Sequence, residues 1–252
     1  MSCESCDDRR VSLPARRLFV VVLALLAVVE VVSALWLAWL NPVRGYDENV
    51  YLINSHHLRG FTALPYAAHR PPLFPLLLAL FGDYARLVPG VAHIAGSAVF
   101  YLILRRLVSP WTALAGVLAF VMCGTLRWYN FVLLTETLSM LCLLLGVYAF
   151  VVGRPAAFGV AMALAAMAHW SMLSAALAGY CWYVGARRGR ESRWFVAGFA
   201  GAAIPFLVGF TIAHGGPLAP VISNLATNLP GMEQGANDWA YYLRNVPQLP
   251  WA

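Results

Sequence analysis

Asp47 and Glu48 stand side by side in the run Tyr46-Asp47-Glu48-Asn49-Val50-Tyr51. Adjacent carboxylates at that place can accept a proton from an attacking hydroxyl, or supply oxygen ligands to a hard divalent cation such as Mg or Mn. A plainer role is also open: Asp47 as the N-cap of a helix running through Tyr51 to His57, with Glu48 favourable near its positive end. Some twenty residues on, His69-Arg70-Pro71-Pro72 joins a bidentate anion donor to two prolines that suit the opening of a helix. Arg70 can hold a phosphate or carboxylate, or only reach for lipid headgroups. The third group is Leu133-Leu134-Thr135-Glu136-Thr137-Leu138, where Glu136 interrupts an apolar run. An ionisable group in such a run is costly unless it meets a partner or a polar cavity, which makes Glu136 a site candidate. Arg127, just before it, is a potential ion-pair partner or second phosphate ligand. His169 and Glu30 also interrupt apolar runs. For His169 hydrogen-bonded packing competes with a functional role, and Glu30 can pair within a bundle or stay protonated.

The elements that must carry these residues are apolar helices. Of 252 residues, 61% are hydrophobic and 11% charged, against roughly 25% charged in a soluble domain. The mean hydropathy is +0.70. Helix-length apolar stretches fall at 18–40, 84–104, 111–124, 131–152, 156–170, 172–186 and 194–213. The expected fold is therefore all-α, a polytopic transmembrane bundle of about seven spans. Leu73–Phe81 is too short to cross ~30 Å of hydrocarbon and is read as a juxtamembrane helix of the first external loop, residues 41–83. Residues 1–17 form an amino-terminal tail, 18–213 the helical module and 214–252 an external segment. The run after Arg16 and Arg17 is too long for a signal peptide and lacks a small-residue cleavage site, so it is read as a retained helix.

Orientation follows from the arginines, which make up all 17 basic residues. With the amino terminus in the cytoplasm, Arg9, Arg10, Arg16, Arg17, Arg105, Arg106, Arg154, Arg187, Arg188, Arg190 and Arg193 fall inside. Arg44, Arg59, Arg70, Arg86, Arg127 and Arg244 fall outside. This excess satisfies the positive-inside rule. The absence of lysine is read as genome bias, and the pI near 9.3 as a product of the membrane flanks; no nucleic-acid partner is expected. Cys3-x-x-Cys6 has no second pair to complete a zinc site.

In order and spacing, Tyr46-Asp47-Glu48, Arg70-Pro71-Pro72-Leu73-Phe74-Pro75-Leu76-Leu77 and Thr135-Glu136-Thr137-Leu138 resemble the GT-C superfamily of membrane glycosyltransferases. Dolichyl-phosphate-mannose protein mannosyltransferases and bacterial aminoarabinose (lipid A) transferases are the nearest look-alikes. The resemblance covers residues 18–213, the superfamily's amino-terminal module of seven helices. It implies a cavity at the outer face of the plasma membrane that receives a polyprenyl-phosphate sugar, with a lipid, glycan or protein as acceptor. By the same resemblance Asp47 is the loop carboxylate acting as base or metal ligand, Glu136 the second acidic position, and Arg70 a neighbour of the donor phosphate. Glu48, Tyr51, His69, Arg127 and His169 complete the expected substrate contacts. Asp47 and Glu48 are the candidate metal ligands, a cation being an option and not a requirement. Many relatives carry Arg or Lys in place of His169 and continue with further spans and an external domain. The expected reaction is inverting sugar transfer, with Asp47 as base and Arg70 and Arg127 stabilising the leaving phosphate. If so, Asp47, Arg70 and Glu136 converge on one pocket, with His69 and Arg127 close behind. A transporter is the main rival, since such proteins carry ionisable residues near the midplane, and a non-catalytic subunit that kept the module is a third reading.

Overall fold

The computed structural model describes residues 13–40, 46–60, 70–125, 129, 132–218 and 222. Among them every regular element is helical. In chain order they are α1 (Leu13–Leu40), α2 (Tyr46–Leu58), α3 (Leu73–Phe81) with a 3₁₀ turn at Gly82–Tyr84, and α4 (Leu87–Leu107). Then come α5 (Pro110–Val121), α6 (Glu136–Val151), α7 (Pro155–Ala168), α8 (Met172–Gly185) and α9 (Gly189–His214).

Local chemistry sets the boundaries. Ser109 precedes α5 and its Oγ accepts from the Thr112 N–H, with Pro110 opening the helix where its missing donor costs nothing. Pro155 opens α7 in the same way. The α3 helix ends at Gly82, whose φ of 57° and ψ of −120° suit a residue without Cβ. Gly215, at φ 75°, closes α9 in the left-handed conformation.

Among the described residues two helices, α4 and α9, are long and apolar enough to cross a membrane. Helix α1 runs for 28 residues, whereas three other apolar segments expected to span are short as folded: α5, α7 and α8 have 12, 14 and 14 residues. At 1.5 Å per residue these reach about 18 to 21 Å, less than the ~30 Å of a bilayer core. The reason is visible at the ends. Thus α7 stops where His169 turns to extended backbone, and α6 starts at Glu136 because Leu133 and Leu134 lie outside any helix.

The packing centre is α7, which lies against α6, α8, α9 and α3. Its residues Ala163, Ala165, Ala166 and Ala168 are fully buried. The α7 and α9 backbones touch: a Cβ added to Gly159 would overlap the Phe195 carbonyl, and one on Gly198 would overlap that of Ala156. Around this seam Phe158, Met162, Tyr183 and Phe195 form one core with Tyr51, Phe74 and Leu78 of the loop helices. The short helices α2 and α3 are therefore part of the folded body. By contrast Val20, Leu25, Val28, Trp36 and Trp39 of α1 and Trp194, Ile204, Val208 and Ile212 of α9 are exposed. An apolar surface that broad calls for an apolar surrounding.

Candidate functional site

The loop helices bring the first polar group together. Asp47 lies in the first turn of α2, which begins at Tyr46. It is therefore inside the helix, and the expected N-cap role is not its own. Arg70 immediately precedes Pro71 and Pro72, both buried, which hold the chain entering α3. The Arg70 Nη2 donates to Asp47 Oδ1 in an ion pair that joins α2 to α3. Its Cζ stands 5.8 Å from the centre of the Tyr51 ring. Tyr51 in turn meets Phe74 edge to face at 5.3 Å. Arg70 Nε is buried with no hydrogen-bond partner among the described residues, so the guanidinium keeps a donor in reserve.

Glu48 points the other way, into the protein. It is 2% exposed, and its Oε1 accepts the backbone N–H of Leu133 at 2.7 Å. That contact fixes α2 against the non-helical residues that lead into α6. It also changes the expectation for Glu48: the side chain is a buried brace, turned away from the surface where a substrate or cation would meet it. Both members of the candidate metal pair are thus engaged by protein donors. Among the described residues no three His, Cys, Asp or Glu are gathered closely enough to hold a metal ion.

Glu136 is the first residue of α6, where a carboxylate is favoured by the helix dipole. It lies within electrostatic range of His169, Asp47 and Arg70, and its Oε2 is buried without a hydrogen-bond partner. Tyr51 bridges the two groups, being hydrogen-bonded to the Thr135 side chain and within range of Arg70, Asp47 and Glu136. Burial pushes its phenol above the ordinary value, against the opposing pull of Arg70. His169 ends α7, and its Nδ1 lies 2.7 Å from Ser171 Oγ. Asp47, Tyr51, Arg70, Glu136 and His169 therefore gather at one end of the bundle. His69 and Arg127 lie outside the described residues.

The expected common pocket takes a different form. A cavity of about 200 Å³ is lined by Glu136, Thr137, Tyr129, Met172, Phe120 and His93 among others, but not by Asp47 or Arg70. Glu136 thus separates two environments: the Asp47–Arg70 pair on one side and a mostly apolar chamber on the other. The Tyr129 phenol on the chamber wall is raised above its ordinary value by burial and then by the Glu136 charge.

Deeper in the bundle, His93 of α4 places Nε2 2.6 Å from Glu30 Oε1 of α1, with both side chains nearly inaccessible. The His93 ring stacks on Phe120 at 5.9 Å. Of the two roles open to Glu30 in the sequence, pairing within the bundle is the one seen, with His93, a residue not among the candidates, as its partner. The available signal was a histidine inside the apolar stretch 84–104, which, like Glu30, needs a partner in lipid.

No protein-family model matches the chain, and neither a curated protein nor a solved structure matches it.

Proposed function

We propose that the protein is a membrane-embedded glycosyltransferase of the GT-C type, moving a sugar from a polyprenyl phosphate to a hydroxyl or amine at the outer face. In this reading the chain has seven spans, with its amino terminus in the cytoplasm. The observation that carries the proposal is the Asp47–Arg70 ion pair set beside Glu136. A base, an anion-binding guanidinium and a second carboxylate are the groups that such a transfer needs around one substrate.

The chemistry follows from competition for Arg70. While paired, Asp47 has Oδ1 occupied by the guanidinium, so that oxygen is not open to an incoming acceptor hydroxyl. A donor phosphate, carrying more charge and free to use the spare Nε donor, draws Arg70 toward itself and loosens its hold on Asp47. The acceptor O–H then gives its proton to Asp47 while its oxygen bonds to the anomeric carbon. The bond from that carbon to the phosphate oxygen breaks, and the electron pair leaves with the phosphate beside Arg70. Glu136 accepts hydrogen bonds from sugar hydroxyls.

The test is transfer of radiolabelled sugar from a polyprenyl-phosphate donor by the purified protein. Asp47→Asn is expected to lower kcat by at least about a hundredfold, with the melting temperature nearly unchanged because the pair is partly exposed. Arg70→Ala is expected to raise KM for the donor as well. Wild-type turnover by Asp47→Asn would remove the base from the mechanism.

A transport function has its own support in the buried Glu30–His93 pair, since ionisable residues deep in a bundle commonly serve ion or proton movement. Proteoliposomes separate the two. Solute uptake that depends on Glu30 and His93 while Asp47→Asn has no effect would favour the transporter.

A further inference from the structure

The connection between α8 and α9 holds four arginines within seven residues, Arg187, Arg188, Arg190 and Arg193, with Glu191 the one acidic residue among them. All four side chains are exposed. The turn is tight: Arg187 has a φ of 55°, the only positive φ at a non-glycine position among the described residues. The Arg187 and Arg188 N–H groups return to the Val184 and Tyr183 carbonyls. Arg188 lies 5.3 Å over the Trp182 ring. Trp182 and Trp194, both about half exposed, flank the cluster at the level where aromatic rings meet a headgroup layer.

Directly beyond this cluster, α8 and α9 leave an open apolar groove of about 320 Å³ between them. Leu173, Leu177 and Tyr180 form one wall, and Val196, Phe199 and Ala200 the other. Arg193, Val196 and Ala200 are spaced i, i+3 and i+7, so the guanidinium stands on the same face of α9 as the groove. The positive-inside rule accounts for basic residues near a helix end. It gives no reason for an apolar channel to run away from them along the two helices.

We propose that this is a binding site for an anionic phospholipid of the cytoplasmic leaflet, its phosphate held by the arginine cluster and one acyl chain lying in the α8–α9 groove. Charge complementarity selects the headgroup, because three net positive charges meet at the mouth of a channel whose lining is apolar apart from the Tyr180 hydroxyl. A phosphodiester is matched by paired guanidinium donors, and a basic pocket between helices at the cytoplasmic surface selects anionic over zwitterionic lipid. The inference rests on the membrane placement of α8 and α9 and is independent of the transferase chemistry at the other end of the bundle.

The protein purified in detergent is titrated with phosphatidylglycerol or with phosphatidylcholine of the same chains, reading bound lipid by native mass spectrometry and stability by thermal melting. Phosphatidylglycerol is expected to bind roughly tenfold more tightly, and 0.5 M salt to remove most of that preference. The combined variant R187Q/R188Q/R190Q/R193Q is expected to bind both lipids alike. Ala200→Phe, which fills the groove without touching the charges, is expected to weaken phosphatidylglycerol. Equal binding of the two lipids by the unmodified protein would overturn the proposal. So would full stabilisation by inorganic phosphate alone, or unchanged binding by a folded Ala200→Phe. The salt arm needs no variant, so a misfolded substitution does not protect the idea. A protein that stays monodisperse in buffer without detergent would instead overturn the membrane placement itself.

Discussion

Glu48 and Leu133, 85 residues apart in sequence, are joined by a buried hydrogen bond of 2.7 Å from the Leu133 N–H to Glu48 Oε1. Removing the acceptor strands a backbone donor away from water. Glu48→Ala is expected to cost about 1–3 kcal/mol of stability, and Glu48→Gln less, because its amide oxygen can still accept. Unfolding in mixed micelles gives both values. Equal stability of Glu48→Ala and the parent protein would show that the contact does not hold α2 in place.

Tyr51 gives the fold a dependence on alkaline pH. Its phenol is raised above the ordinary 10.0, first by burial, so the folded state favours the neutral form. That contribution is fully present below pH 10 and is lost as pH rises from there through the folded value, because the unfolded chain releases its proton first. Tyr51→Phe is expected to flatten the fall in melting temperature above pH 10. A slope identical in the two proteins would assign the effect to other groups.

The Glu30–His93 pair is expected to behave as a unit. Removing either partner alone leaves the other buried without its counterpart and costs roughly 3–5 kcal/mol, whereas replacing both with apolar residues costs far less. A double-mutant cycle in micelles measures the difference. Additivity within about 0.5 kcal/mol would mean that the two side chains do not support each other.

Topology can be checked from two exposed positions. In a background lacking Cys3, Cys6, Cys123, Cys142 and Cys181, Leu58→Cys at the end of α2 is expected to react with a membrane-impermeant maleimide in intact cells. Gly189→Cys at the start of α9 is expected to react only after lysis. The opposite pattern would put Asp47, Arg70 and Glu136 on the cytoplasmic side, away from any externally presented acceptor.

The helical class follows from features that a sequence carries openly, whereas the convergence of Asp47, Arg70 and Glu136 on one pocket was expected only from the resemblance, and the cavity at Glu136 is lined by neither of the other two. Apolar runs of helical length, prolines at helix starts and charges that interrupt apolar stretches are all local. Leu73–Phe81 was bounded as the structure has it, because Pro71 and Pro72 open it and Gly82 closes it. The role of Glu48 was hidden because its partner is a backbone N–H, which leaves no side-chain signature at position 133. His93 escaped for a related reason: a histidine in an apolar run reads as packing until the carboxylate facing it is known. Helix lengths were overestimated where hydropathy continues past a turn, as at Leu133 and Leu134, which are apolar yet outside α6.

The glycine seam of α7 and α9 bears on how the chain is made. Between Gly159 and Gly198 lies all of α8, so α7 emerges from the ribosome well before the surface that fits its backbone has been synthesised. Until α9 follows, the backbone at Gly159 lacks the Phe195 carbonyl that packs against it in the folded chain. Gly159→Val would therefore act at birth rather than at the site: it blocks the closure of α7 with α9, leaving a substrate for quality-control proteolysis.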